Sequence, residues 1–137
     1  MQKISLLILM ATILAACQPT ATPTPEPVET LAGSVSDIVG LWWSPQERSK
    51  LEIKADGTFR AFMDDETFDE GTYVFEAGKI TWTTIGHGSC ENMPITQEAY
   101  VTTEDGKPTW LRLQTMGTDP CVARDRAARK PLKYLGP

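Results

Sequence analysis

Three groups of residues in this 137-residue chain have side chains suited to chemistry. They are the cysteines Cys17, Cys90 and Cys121, the segment Gly86-His87-Gly88-Ser89, and the acidic run Asp64, Asp65, Glu66, Asp69 and Glu70. A histidine two residues from a serine invites comparison with nucleophilic catalysis. That chemistry needs a base within hydrogen-bond reach of the hydroxyl and a third group to orient the base. Neighbours in a glycine-flanked loop do not provide it, and the chain has no Gly-x-Ser-x-Gly elbow. His87 is therefore read as a solvated loop residue, and the chain as not an enzyme, with no catalytic residue assigned. The acidic run carries oxygen enough for calcium, which takes about six to eight oxygen ligands. Its spacing does not follow the EF-hand loop and no glycine lies inside it. It reads as a solvated loop tip; no metal and no cofactor is expected.

Cys17 belongs to a different chemistry. Lys3 is followed by an almost wholly apolar run from residue 4 to 14, broken only by Ser5 and Thr12. A bilayer-spanning helix needs roughly 20 apolar residues, so this run has the length of a signal-peptide core instead. It ends in Leu14-Ala15-Ala16-Cys17, which resembles the lipobox of bacterial lipoproteins. The resemblance implies removal of residues 1–16 as a signal peptide, a diacylglyceryl group (with palmitate-type acyl chains) on the Cys17 sulfur, and acylation of its new amino terminus. Two or more acyl chains hold a protein on a membrane where one does not, at about 0.8 kcal/mol per buried methylene. The expected location is the cell envelope. The domain would face the extracytoplasmic side, on the cell membrane or on the outer membrane of a two-membrane cell.

Residues 18–30 read QPTATPTPEPVET, with alternating threonine and proline and no aromatic residue. Such composition cannot bury enough apolar surface to offset the entropy of ordering. Residues 17–35 are accordingly read as the acylated cysteine and a disordered linker. Extended at about 3.1 Å per residue, its proline-rich part reaches roughly 40 Å at most.

Residues 36–137 suffice for one domain with a single core. The chain carries a formal charge of −5. From residue 18 to 120 it has seven basic and seventeen acidic residues, whereas residues 121–137 hold Arg124, Arg126, Arg129, Lys130 and Lys133 against Asp125 alone. An acidic body excludes nucleic-acid binding, which needs a basic surface to displace counterions. The basic tail is expected to pack on the protein's own acidic surface. With Cys17 acylated, Cys90 and Cys121 remain as an even pair in an oxidising compartment and are expected to form a disulfide.

Turn signals punctuate this domain, and the runs between them alternate apolar and polar residues. Strand candidates are residues 39–44, 50–54, 58–63, 71–75, 80–85, 98–103, 109–116 and 132–135, with a short helix at 125–130. Ala55-Asp56-Gly57, Ala77-Gly78 and Asp105-Gly106 mark hairpins. Period-two alternation places Leu51 with Ile53, Phe59 with Ala61 and Met63, Tyr73 with Phe75, Ile80 with Trp82, and Leu111 with Leu113 on buried faces. Successive hairpins without a long crossover predict an all-β fold. A small up-and-down antiparallel barrel of about eight strands fits best, with a two-sheet sandwich as the alternative.

Gly40-Leu41-Trp42 at the head of the first strand candidate resembles the Gly-x-Trp motif of lipocalins and their calycin relatives. The order of hairpins that follows, including DGTFR and GTYVFEAGKITWT, is similar to small lipocalin-like domains of exported bacterial proteins. The resemblance implies that Gly40 and Trp42 close the base of the barrel, under an arginine supplied by Arg124, Arg126 or Arg129. It also implies a non-catalytic domain that binds a small apolar ligand. The aromatics Phe59, Tyr73, Phe75 and Trp82 are the candidate walls of such a pocket. The domain is shorter than a typical lipocalin and lacks its second motif. The alternative is therefore a barrel filled by its own side chains, serving as a protein-interaction, envelope-structural or inhibitor module, with Trp43 and Trp110 on its surface.

Overall fold

The computed structural model describes residues 26–85 and 90–137. Cys17, most of the proline-rich stretch and His87 lie outside the described residues. Strand β1 is Val28–Leu31, and a single 3₁₀ turn, Val35–Asp37, leads into β2, Gly40–Ser44. The strands β3 (Ser49–Ile53), β4 (Thr58–Met63), β5 (Glu66–Glu76), β6 (Lys79–Thr84), β7 (Ile95–Glu104) and β8 (Lys107–Thr115) follow. Helix α1 (Val122–Ala128) and strand β9 (Leu132–Gly136) end the chain.

Strands β2 to β9 pair antiparallel in chain order. β9 returns to pair with both β8 and β2, so the sheet closes on itself as an eight-stranded barrel. Closure rules out the sandwich and leaves the barrel strands no open edge. Tight turns drive the meander. Asp64-Asp65, Ala77-Gly78 and Asp105-Gly106 each hold both residues at positive φ, the mirror-image turn whose twist suits a two-residue hairpin. Asp56 steadies the β3–β4 turn by accepting from the Thr58 amide and hydroxyl at 2.9 and 2.6 Å. Inside lie Trp42, Ile53, Phe59, Tyr73, Ile80, Trp82, Ala99, Val101, Leu111, Leu113 and Leu132.

The barrel has two different ends. At one end lie the 3₁₀ turn, the hairpins at residues 54–57, 77–78 and 105–106, and the finish of β9. Trp42 seals it, with no exposed surface; its Nε1 donates to Ile38 O at 2.7 Å, and its ring packs on Tyr134 at 4.9 Å. The lid on Trp42 is thus tyrosine and not arginine: Arg124, Arg126 and Arg129 all lie on or directly after α1 at the opposite end, where Asp119 and Asp125 engage Arg124 and Arg129. At that opposite end, α1 lies against β8 and across the mouth of the barrel.

The structure corrects the sequence reading in three further places. Residues 28–31, assigned to the disordered linker, form β1 and pair with the half of β7 that β6 does not reach. All four are exposed, so no buried face marked them as a strand. Ala32, also in that assignment, is buried in the core. The acidic run is not a loop tip: only Asp64 and Asp65 form a turn, and Glu66, Asp69 and Glu70 lie on β5. Finally, a bulge between Ala61 and Phe62 shifts the alternation of β4. Met63 is exposed, and Phe62 is buried beneath Arg60 and Lys50.

Candidate ligand-binding site

A cavity of about 120 Å³ lies inside the barrel at the α1 end. Its apolar walls are Leu51 of β3, Phe59 and Ala61 of β4, Trp82 of β6, Leu113 of β8 and Leu132 of β9. Each comes from the inward face of its strand, which is what period-two alternation on a closed sheet delivers. Phe59 meets Trp82 edge to face, with centroids 5.0 Å apart. Ala123 and Ala127, one helical turn apart and so on one face of α1, roof the space together with Ala128. Their small side chains leave it open where leucines would fill it.

Of the four aromatic residues predicted as pocket walls, Phe59 and Trp82 line the cavity, and Tyr73 and Phe75 do not. Tyr73 is buried against Trp82 at 5.9 Å, with its hydroxyl donating to Lys54 O at 2.6 Å. Phe75 is half-buried against the core. The reason is position along β5: both residues lie closer to the sealed end than Asp69, which is the β5 residue that reaches the cavity together with Phe68.

The polar lining was not foreseen. Trp82 Nε1 donates to Gln97 Oε1 at 2.8 Å, and Gln97 Nε2 donates to Thr115 Oγ1 at 3.1 Å. Gln97 is fully buried at β7, where its neighbours Ala99 and Val101 read as ordinary core. Arg124 grips Asp119 with two parallel bonds of 2.8 Å, from Nε and Nη2, and Nη2 also donates to Met93 O. Burial works to raise the Asp119 carboxyl, but Arg124 and the Cys121 amide outweigh it and hold the carboxyl below its ordinary value. Asp69 is the opposite case. Burial lifts its carboxyl above the usual carboxylate range, against weaker pulls from Thr84, Arg124 and the Glu70 amide. Asp69 Oδ1, Thr84 Oγ1 and Arg124 Nη1 are buried and have no hydrogen-bond partner among the described residues.

The Cys90–Cys121 disulfide ties the β6–β7 loop to the start of α1, at the edge of this cavity. The basic tail meets acidic residues of the body at two points, Arg124 on Asp119 and Lys130 on Glu47 across the chain, while Arg129 pairs with Asp125 inside the tail itself. Six exposed apolar residues, Met63, Phe68, Ile85, Met93, Met116 and Val122, stand at this same end of the barrel. A second depression, between β8 and α1 on the outside, is polar and opens directly to solvent; it shares only Leu113 and Ala128 with the interior cavity. Among the described residues no group of three or more His, Cys, Asp or Glu side chains is placed to hold a metal ion.

Sequence patterning could have found the apolar walls, since each belongs to an alternating strand. It could not have found Asp69, which lies in a run of five acids whose other members point outward. Compared with protein-family models, with curated proteins and with solved structures, the chain matches none.

Proposed function

We propose that this chain is an extracytoplasmic, lipid-anchored binding protein whose barrel takes up a small apolar molecule. The observation that carries this reading is the apolar cavity at one end of a closed barrel, walled by Phe59, Trp82, Leu51, Leu113 and Leu132 and bordered by exposed apolar residues. Concave, mostly apolar sites with a few polar groups are the usual form of small-molecule pockets. The likeness of Gly40-Leu41-Trp42 to the lipocalin motif points the same way. The lipobox-like sequence supports anchoring through acylated Cys17. Among the described residues no helix is long and apolar enough to cross a membrane.

Two experiments test this. Trp82 lines the cavity, so titration with single-ring hydrocarbons, short fatty acids and larger aromatic probes should change tryptophan emission at saturable concentrations. A Cys17→Ala variant should leave the membrane fraction; persistence there after a carbonate wash would place the anchor elsewhere. A second reading is favoured by one observation. Trp43 and Trp110 face outward and flank Lys133 in register on β2, β9 and β8, giving a half-buried aromatic strip suited to a protein partner. Loss of a partner on Trp43→Ser/Trp110→Ser substitution, with ligand binding unaffected, would establish that role.

A further inference from the structure

We infer that the barrel lies on its side against the membrane, meeting phospholipid headgroups through Trp43 and Trp110 together with Lys133 and Lys50. The inference rests on the lipid-anchored reading above and adds the surface that the anchored domain touches. Strand register sets Trp110 of β8, Lys133 of β9, Trp43 of β2, Lys50 of β3 and Phe62 of β4 in one row across five strands. Each stands next to an inward-facing residue of its own strand, so the row runs along the outside of the barrel. Aromatic and cation alternate along it. Phe62 is roofed by Lys50 and Arg60, whereas Trp43 and Trp110 are half-buried and both lysines are exposed. Neither lysine makes an ion pair within 4.0 Å among the described residues, although the chain carries a formal charge of −5.

The chemistry of the row fits a headgroup layer. Indole rings settle at the membrane–water boundary, with an apolar body and a wet N–H. A lysine beside them lays its stem on apolar surface and keeps its ammonium among the phosphates. A protein partner would instead bury Lys133 between the two rings, and interface cores are depleted in lysine. The entry of the chain brings the row close to the tether. Glu29 of β1 pairs with Thr102 of β7, and Thr102 with Trp110. β1 therefore stands two strand spacings, about 10 Å, from the first tryptophan. Cys17 precedes Val28 by eleven positions, a reach of at most about 40 Å. An acyl anchor there holds this side of the barrel near the bilayer, and the cavity mouth, at the α1 end, stays clear of it.

Tryptophan quenching tests the inference. The full-length acylated protein is reconstituted into vesicles of phosphatidylcholine and phosphatidylglycerol whose acyl chains carry bromine close to the headgroup. Emission from Trp43 and Trp110, two of the four tryptophans, should be quenched; Trp42 and Trp82 are buried inside the barrel. Trp43→Ser/Trp110→Ser should abolish the quenching while the protein still sediments with the vesicles. Lys50→Gln/Lys133→Gln should weaken it, each lysine at an anionic surface being worth about fivefold in binding. The wild-type measurement does not depend on any variant folding. Wild-type protein that sediments with the vesicles unquenched overturns this inference alone and leaves the row to a protein partner. Quenching that persists in the tryptophan variant, or is unchanged in the lysine variant, overturns it too. If the wild-type protein does not sediment with the vesicles at all, the anchored reading falls with it.

Discussion

Asp69 and Asp119 sit at the same end of one barrel and have opposite electrostatic roles. The Asp69 carboxyl is raised by burial, so the folded state holds its proton more tightly than the unfolded chain does. Its effect on stability is therefore most favourable below the ordinary aspartate value and is lost as pH rises through the raised one. Asp69→Leu should stabilise the protein by about 1 kcal/mol at neutral pH, the lower range for removing an unsatisfied buried polar group. That gain should shrink as the pH approaches ~4, near the ordinary aspartate value, in paired urea titrations. Asp119 is lowered by its partners, so its contribution is present at neutral pH and fades as pH falls through the depressed value. Arg124→Met leaves Asp119 buried and unpaired and should cost about 3–5 kcal/mol at neutral pH, less in acid. A loss independent of pH would mean that Arg124 acts through packing alone.

At the scale of elements, the sealed end depends on Gly40. Its φ of +141° lies where side chains are disfavoured, and a Cβ there would stand 2.5 Å from Tyr134 Cε2 and 2.8 Å from Gly136 O. Gly40 is thus where β2 and β9 meet closely enough to close the barrel over Trp42. Gly40→Ala should cost about 3 kcal/mol or more, since both backbone strain and a clash with backbone are involved; a melting temperature close to wild type would refute this account of closure. The other device at this end is β1. It joins β7 through Val28–Leu31 and is pinned by the two bonds from Arg112 to Glu29, at 2.8 and 3.0 Å, with the guanidinium over Tyr100. This pair is largely exposed, so it fixes where the chain enters the domain more than it stabilises the whole.

For the whole molecule, β1 enters beside the sealed end, and the cavity opens at the other. In the proposed anchored protein the tether and the mouth therefore occupy opposite ends of the domain. The mouth is held by the disulfide, which spans 31 residues from the β6–β7 loop to α1. By the chain-entropy argument, closing such a loop stabilises by about 3–4 kcal/mol. Reduction should lower the melting temperature by on the order of 15 °C. The change should centre on α1 and the mouth, with hydrogen exchange of β7 and β8 amides less affected than that of α1.

The order of hairpins, the eight barrel strands, the short helix and the pairing of Cys90 with Cys121 were legible in the sequence. These are local properties: alternation with period two, glycine and aspartate at turns, and an even cysteine count. Strand limits slipped where local pattern fell silent, as at the all-exposed β1 and at the start of β5 inside the acidic run. Closure of the sheet, the choice of Tyr134 to cover Trp42, and the meeting of Asp69, Gln97 and Arg124 around one cavity were decided by tertiary structure alone. Strand register and barrel closure bring together residues as far apart in sequence as β5 and α1, and burial then changes what each can do. A carboxylate that reads as one of five solvated acids becomes, once β5 turns it inward, the polar wall of an apolar site.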